Sequence, residues 1–236
     1  MRRNASTWWS TRCRALGLAI VCILNCRTGL RVCIPMTGLN HSNAAKTTLI
    51  LVRHGETIWN AAERLQGQAD PELSEAGRAQ VADIRHVVER MSPSVVVASD
   101  LQRTRETAAI LGYESPRLDT RLREADLGVW TGRYVSELCE PSDADYRAWR
   151  AGLFTPPGAE PWDALVGRVE ASLKELVPLH QTVLVITHGG PIRAACARFL
   201  GLEPAAVLPV RPASITIIEV KERARLGVYN LRPDDV

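Results

Sequence analysis

The segment TTLILVRHGET, residues 47–57, indicates both the fold of this chain and the place of its site. An apolar run of this length predicts a buried strand, and that strand ends in Arg53-His54-Gly55. In an open α/β sheet, ligands bind beyond the carboxyl ends of the strands. A second apolar run, residues 182–187, ends in the same way in His188-Gly189-Gly190. The two strand ends predict one site in which paired imidazoles surround an anion.

Strands alternate with helices along the rest of the sequence. Near-continuous apolar strands separated by helical patterns predict an α/β fold, a three-layer α/β/α sandwich with a mainly parallel central sheet. Ser74, followed by an apolar repeat of helical spacing, predicts the start of the longest helix. The predicted strands are 47–53, 95–98, 116–120, 182–187, 214–220 and 226–231, and the predicted helices are 57–64, 74–90, 103–111, 143–150, 162–177 and 191–200.

The charge of the chain is unevenly distributed. Its 236 residues carry a formal net charge of +3, but residues 1–35 hold six arginines and no acidic residue. The remaining residues, 36–236, contain 23 of the 29 basic residues and all 26 acidic ones, so their formal net charge is −3. No basic patch is interleaved with aromatic residues, so nucleic acid is not a predicted partner. No apolar stretch is long enough to span a bilayer, so the core domain is predicted to make no membrane contact.

Residues 1–45 are predicted to be a disordered N-terminal extension that takes no part in the core, which residues 46–236 form. Three interpretations of the extension stay open. Arginines ahead of the apolar run 16–24 resemble a signal peptide, although no small-x-small cleavage site follows. An Arg-rich segment without acidic residues also fits a transit peptide. Alternatively, translation begins at Met36 and the upstream residues come from an over-extended gene model.

The cysteines favour a cytoplasmic protein without a metal site. Four of the six lie within residues 1–35, and none has the C-x2-C spacing of a strong zinc site. Cys139 and Cys196 stand alone and fit small thiols in a reducing compartment. A cytoplasmic location is therefore predicted, with signal or transit targeting by the extension left open.

Four blocks of sequence together resemble one known family. They follow its order over roughly residues 47–193, whereas a single Arg-His-Gly would be weak evidence. The family is the histidine phosphatase superfamily, also called phosphoglycerate mutase-like, and the resemblance implies a fold of that type. The blocks are RHGET at 53–57 with Trp59-Asn60 and Gln66-Gly67 behind it, SDLQRT at 99–104, LREADLGVWTG at 122–132, and THGG at 187–190.

The resemblance assigns a catalytic role to five residues. His54 is the expected nucleophile, which carries the phosphoryl group as a phosphohistidine, with its other ring nitrogen donating to a backbone carbonyl. Glu124 occupies the position of the proton donor and acceptor, with Asp126 as the competing carboxylate. Arg53, Arg103 and His188 are expected to donate hydrogen bonds to the phosphoryl oxygens, the last as a cation.

Four further residues are expected to bind the substrate. They are Asn60, Gln66, Gly67 and the amide of Gly189, although Asn60 also fits a helix-capping residue. Gly55 is expected to let the chain turn sharply beside the nucleophile. No metal ion or other cofactor is predicted, because arginines and imidazoles supply the positive charge.

The resemblance favours a phosphatase over a mutase. Mutases of the family usually carry a longer insertion between the acid/base block and the second histidine, and here residues 124–188 form a short interval. The expected substrate is a small phosphorylated metabolite, selected by a cap at about residues 133–161 that includes Tyr134, Tyr146, Arg147, Trp149 and Arg150. A mutase and a non-catalytic binding module on the same scaffold remain alternatives, and a homodimer stays open.

Overall fold

A computed structural model describes residues 20–24, 31–35, 46–138 and 144–233. The chain divides into two compact units, one of Met1–Ala44 with Pro233–Val236 and one of Ala45–Arg232. In the first unit, strands β1 (Ile20–Leu24) and β2 (Arg31–Pro35) pair antiparallel. The prediction that residues 1–45 are disordered falls mostly outside the described residues and stays a prediction.

The second unit contains a six-stranded sheet. Its strands are β3 (Thr47–Arg53), β4 (Val95–Ala98), β5 (Arg117–Leu118), β6 (Thr182–Thr187), β7 (Ile215–Val220) and β8 (Ala224–Leu231). They lie in the order β5-β4-β6-β3-β7-β8. The first four strands of that order pair in parallel, β7 pairs antiparallel to β3, and β8 pairs antiparallel to β7. The predicted α/β fold with a mainly parallel sheet is therefore confirmed, and the antiparallel pairings belong to the two closing strands.

Helices cover both faces of this sheet. They are α1 (Ile58–Ala61), α2 (Glu75–Arg90), α3 (Gln102–Ile110), α4 (Ala144–Arg150), α5 (Trp162–Leu176) and α6 (Gly189–Leu200). Along β3, Leu49 and Leu51 pack in a core cluster with residues of α5 and α6, whereas Ile50 and Val52 pack with residues of α2 and α3. This alternation makes the fold a three-layer sandwich. Among the described residues, none of the helices has the length and apolar character that a membrane span requires.

The pairing of β3 with β6 brings the two His-Gly steps together. The strands are parallel neighbours, with Arg53 opposite Thr187. The amide of His54 continues this ladder by donating to the carbonyl of Thr187 at 3.0 Å. Because parallel strands end at the same edge of the sheet, His54 and His188 lie side by side there.

Candidate active site

His54 is buried just after the end of β3, and one of its ring nitrogens is hydrogen-bonded to the backbone. Its Nδ1 lies 2.7 Å from the carbonyl of Gly55. A carbonyl can only accept, so Nδ1 carries the proton and Nε2 keeps its lone pair. Burial, and then the positive charges of Arg103 and Arg53, hold the pKa of His54 well below its usual range. The imidazole is therefore neutral and has the tautomer that a nucleophile needs.

Close packing against α2 fixes the backbone that follows His54. A Cβ on Gly55 would lie 2.6 Å from the carbonyl oxygen of Gly77, and one on Gly77 would lie 1.9 Å from the carbonyl of Glu56. Gly55 does not have a positive φ. The structure therefore gives close approach to α2 as the reason for glycine at this position, and the expected sharp turn stays a prediction. The amide of Gly55 also donates to Thr107 Oγ1 on α3 at 3.1 Å.

His188 packs edge-on against His54, with ring centroids 5.1 Å apart. Arg103 Nε donates to His188 Nδ1 at 3.2 Å, and the other ring nitrogen lies 3.0 Å from Ser99 Oγ. Nδ1 therefore accepts, and Nε2 carries the proton. Burial, followed by the charge of Arg103, holds the pKa of His188 well below its usual range. His188 is neutral here, and a hydrogen bond from Nδ1 to phosphate would need a proton that this tautomer lacks.

Arg103 is completely buried at the start of α3. Its Nη2 donates to the carbonyl of Gly67 at 2.8 Å, and its Nη1 donates to the carbonyl of Ala69 at 2.6 Å and to Asp70 Oδ1 at 3.3 Å. Burial lowers the pKa of Arg103. Gly67, which has a φ of +52°, thus contributes a carbonyl that orients the guanidinium.

Arg53 brings a second buried guanidinium to the site. Nη1 donates to the carbonyl of Val210, whereas Nε is buried without a hydrogen-bond partner among the described residues. Burial lowers the pKa of Arg53 to about 10, so the side chain remains a cation at neutral pH. An unpaired buried donor is costly unless a ligand satisfies it.

Glu124 is held by two backbone amides. The amide of Ala125 donates to Oε1 at 2.9 Å, and the amide of Gly190 lies 3.1 Å from both carboxylate oxygens. Gly190 is in the first turn of α6, where amides point toward anions. Gly190 was not predicted as a site residue. A Cβ at this position would lie 2.1 Å from Glu124 Oε1, so the site requires glycine here. The doubled glycine of His188-Gly189-Gly190 was the sequence signal that could have indicated this.

The loop that carries Glu124 is fastened by contacts that the sequence did not reveal. Arg168 on α5 donates to the carbonyls of Arg121, Arg123 and Glu124, at 2.7, 2.7 and 3.0 Å. The same guanidinium pairs with both carboxylate oxygens of Glu160, at 2.6 and 2.7 Å. These contacts leave the carboxylate of Glu124 little freedom to move.

The predicted competitor of Glu124 lies outside the site. Asp126 accepts a hydrogen bond from the amide of Gly128 at 2.9 Å, is exposed, and does not line the cleft. Its role is to shape the turn that follows Glu124. Among the described residues, no group of three or more His, Cys, Asp or Glu is placed to hold a metal ion.

Arg53, His54, Arg103 and Glu124 line one open cleft with a cavity volume of about 170 Å³. His188 does not line the cleft but lies behind Arg103. Asn60 was expected either to bind the substrate or to cap a helix, and its position fits both roles. Its Oδ1 accepts a hydrogen bond from the amide of Thr57 at 3.2 Å in a capping box, and the residue also lines the cleft. Gln66 is buried with Oε1 unpartnered among the described residues. The lining includes Arg53, His54, Asn60, Gln66, Gly67, Arg103, Glu124 and Gly189.

Comparison with known proteins shows the family of this chain. The family model of the histidine phosphatase superfamily (branch 1) matches residues 49–230. The chain belongs to the histidine phosphatase superfamily. It is 36% identical over 167 residues to a glucosyl-3-phosphoglycerate phosphatase of Mycolicibacterium vanbaalenii, covering 65% of this chain and 74% of that one. It is 34% identical over 185 residues to phosphoserine phosphatase 1 of Hydrogenobacter thermophilus, covering 74% and 87%.

Solved structures agree with the sequence comparison. The mycobacterial glucosyl-3-phosphoglycerate phosphatase in complex with VO3 superposes with a TM-score of 0.71 and 34% identity, covering 78% of this chain and 98% of that one. This histidine phosphatase therefore has the phosphoglycerate mutase-like fold expected from its sequence blocks. It is an enzyme of the phosphatase class, which hydrolyses phosphate esters.

Residues of the predicted cap segment, 133–161, both line the cleft and pack on the core. Tyr146, Trp149 and Arg150 line the cleft, whereas Tyr134 and Arg147 do not. Trp149 also packs edge-on against the buried Trp130, with ring centroids 5.7 Å apart. Residues 139–143 of the predicted cap lie outside the described residues. Arg64 and Arg193 line the cleft as well, and neither was predicted as a site residue.

Proposed function

We propose that this protein is a metal-independent phosphatase that hydrolyses small phosphorylated metabolites through a phosphohistidine on His54. The observation that carries the proposal is the neutral imidazole with a free Nε2 lone pair, in a cleft that the guanidinium groups of Arg53 and Arg103 also line. The lone pair of Nε2 attacks phosphorus and forms a P–N bond as the P–O ester bond breaks. Water then attacks the same phosphorus, breaks the P–N bond and regenerates neutral His54.

The buried cations supply the electrostatic part of this proposal. In phosphoryl transfer, negative charge spreads over three equatorial oxygens, so fixed donors around them lower the barrier. Arg53 has a buried Nε without a partner among the described residues, and Arg103 is oriented by two backbone carbonyls and by the carboxylate of Asp70. Both groups are oriented before the substrate arrives, which supports a site shaped for the transition state.

Glu124 completes the proton balance. In its acid form it gives a proton to the leaving ester oxygen, and the resulting carboxylate takes a proton from the attacking water in the second step. The amides of Ala125 and Gly190 fix its position at the cleft. A single carboxyl group can therefore serve both steps.

The test combines turnover with detection of the intermediate. We expect the protein to hydrolyse an aryl phosphate in EDTA, and rapid acid-free quenching to trap one phosphoryl group per chain on His54. His54→Ala removes the nucleophile and should lower turnover by at least about a thousandfold. This loss corresponds to an activation barrier that is higher by about 4 kcal/mol. His86→Ala, which removes an exposed imidazole on α2, is the matched control.

Each alternative gives a different result in this assay. Full turnover by His54→Ala would reject the nucleophile, and loss of turnover in EDTA would indicate a metal-dependent phosphatase. With a phosphoglycerate as the substrate in place of the aryl phosphate, phosphate moved between its two hydroxyl positions, rather than released, would indicate a mutase. Binding of a phosphorylated ligand without any turnover would indicate a non-catalytic module.

A further inference from the structure

The backbone around Glu124 depends on one side chain from another element. Residues 121–132 form the acid loop, and three of its carbonyls, those of Arg121, Arg123 and Glu124, accept hydrogen bonds from Arg168 on α5. Arg123 and Glu124 lie in no helix or strand, so no regular backbone ladder satisfies their carbonyls. Gln68 Nε2 adds a longer bond to the carbonyl of Glu124, at 3.3 Å. The guanidinium of Arg168 is therefore the main donor to this part of the loop.

Arg168 uses every donor that a guanidinium has. Besides the three bonds to carbonyls, Nε and Nη2 each donate to one carboxylate oxygen of Glu160, at 2.6 and 2.7 Å. A guanidinium has five N–H donors, and these bonds account for all five. Both side chains are largely buried, since 19% of Arg168 and 17% of Glu160 is exposed. A planar fork with five donors cannot be replaced by the three donors of a lysine.

Glu160 belongs to a segment that packs directly on the acid loop. The amide of Glu160 donates to the carbonyl of Asp126 at 2.9 Å, and the amide of Val129 donates to the carbonyl of Pro157 at 3.1 Å. A Cβ on Gly128 would lie 2.3 Å from the same carbonyl oxygen of Pro157. The guanidinium therefore links the acid loop both to α5 and to this segment.

We propose that Arg168 is the positioning residue of the proton donor, an inference that rests on the proposed function. Arg168 does not line the cleft, so it acts through the backbone of the acid loop. The amides of Ala125 and Gly190 hold the carboxylate of Glu124, whereas Arg168 holds the backbone that carries it. Because displacement of a catalytic group by about 1 Å costs on the order of a hundredfold, a loosened loop should impair proton transfer to the leaving oxygen.

The experiment compares two esters that differ in their leaving group, phenyl phosphate and p-nitrophenyl phosphate. Phenol, with a pKa of about 10, needs a proton to leave well, whereas nitrophenol leaves as an anion. We measure kcat/KM, because it covers the steps up to loss of the alcohol and excludes hydrolysis of the phosphoenzyme. Arg168→Met should lower kcat/KM at least about tenfold for phenyl phosphate and no more than about threefold for p-nitrophenyl phosphate. A smaller fraction of folded protein would lower both values equally.

A double-mutant cycle with Glu124→Gln tests whether Arg168 acts through Glu124. In a protein that already carries Glu124→Gln, Arg168→Met should cost little more for phenyl phosphate, so the two losses do not multiply. Arg168→Lys keeps the charge but offers three donors to five acceptors, and should recover only part of the loss. Losses that multiply fully, or a complete recovery in Arg168→Lys, would overturn the positioning role.

The matched control is Arg198→Met, the same substitution at an exposed guanidinium that pairs with Glu170 of α5. It should leave both kcat/KM values unchanged. If Arg168→Met fails to fold, Glu160→Gln decides the question, because it removes the charge that orients Arg168 and should shift the two esters in the same direction by less. Equal losses for both esters in the folded variants would overturn the inference. Inactivity of the unmodified protein toward both esters would instead reject the proposed function.

Discussion

At the scale of single residues, the two histidines link stability to pH. His54 and His188 are both buried and neutral, with pKa values well below 6.5. The unfolded chain takes up protons on these imidazoles near pH 6.5, but the folded chain does not until a lower pH. Their contribution to stability is therefore complete above about pH 6.5 and is lost as the pH falls below it.

We predict that the free energy of unfolding decreases between pH 7 and pH 5.5, by at most about 1.4 kcal/mol per pH unit for each imidazole. His188→Asn should make this dependence shallower, because one buried imidazole is removed. Urea unfolding at several pH values measures the slope, and the exposed His86→Asn variant controls for the loss of one imidazole. A slope unchanged in His188→Asn would contradict the assignment.

Glu124→Gln tests the proton donor through the leaving group. The amide keeps nearly the same shape, so substrate binding should persist, but it cannot give a proton to the ester oxygen. We predict that kcat falls at least about a hundredfold for alkyl phosphates and much less for p-nitrophenyl phosphate, whose leaving group departs as an anion. Asp126→Asn is the matched control two residues along. Equal losses for both substrate types would argue against general acid catalysis by Glu124.

The residues of the site were predictable, but many of their partners were not. Residue type and spacing in the sequence predicted His54, Arg103 and Glu124 as site residues. The structure brings all three to one cleft. Arg168 and Arg193 could not be assigned from sequence, because an arginine on a helix is usually a solvated cation. Their burial depends on the packing of α5 and α6 against the rest of the domain, which is not a local property.

At the scale of elements, helix α6 does more than cover the sheet. Its first turn supplies the amide that holds Glu124, and one turn later it supplies Arg193. The sequence predicted a helix from residue 191, guided by Pro191, whereas the helix begins at Gly189. The difference matters, because the two additional residues are the glycines beside the carboxylate of Glu124.

Gly190→Ala is predicted to impair catalysis more than stability. The added Cβ would lie 2.1 Å from Glu124 Oε1, so the carboxylate must move away from its amide. Since displacement of a catalytic group by about 1 Å costs on the order of a hundredfold, we expect kcat to fall by about 10- to 100-fold. Gly167→Ala on α5, whose Cβ would meet no atom within 4 Å, is the control and should retain activity. Normal kcat in Gly190→Ala would show that Glu124 needs no fixed position.

The strands were predicted better than the short elements. The strands at 47–53, 95–98 and 182–187 have the predicted bounds, because apolar runs buried on both faces have few alternatives. In contrast, α1 covers only Ile58–Ala61 of the predicted 57–64, since Thr57 caps the helix and the chain turns soon after. Local signals of one turn in length do not fix where a helix ends.

At the scale of the whole molecule, the six-stranded sheet and the cleft lie in the unit Ala45–Arg232. The α/β architecture followed from the alternation of elements, and the edge of the sheet that holds the site followed from the strand order. The charge balance of the cleft did not follow, since it depends on which of the chain's many arginines converge. That convergence appears only after all the layers have packed.

Removal of residues 1–44 is predicted to leave the enzyme intact. A variant that begins at Ala45 keeps Lys46 and its ion pair with Glu219. We expect its kcat/KM for an aryl phosphate to stay within about twofold of the full chain and its thermal midpoint to change by no more than a few degrees. A large loss of either would mean that the extension contributes to the folded enzyme.

The hydrogen bond from Arg103 to His188 makes the alignment of that guanidinium sensitive to acid. The lone pair of Nδ1 accepts the bond, so a proton taken up on Nδ1 would remove the acceptor and leave two cations in contact. Arg103 lines the cleft, so its orientation toward a bound phosphate is expected to be lost as the pH falls. Misalignment of this guanidinium is expected to set the lower pH limit of turnover.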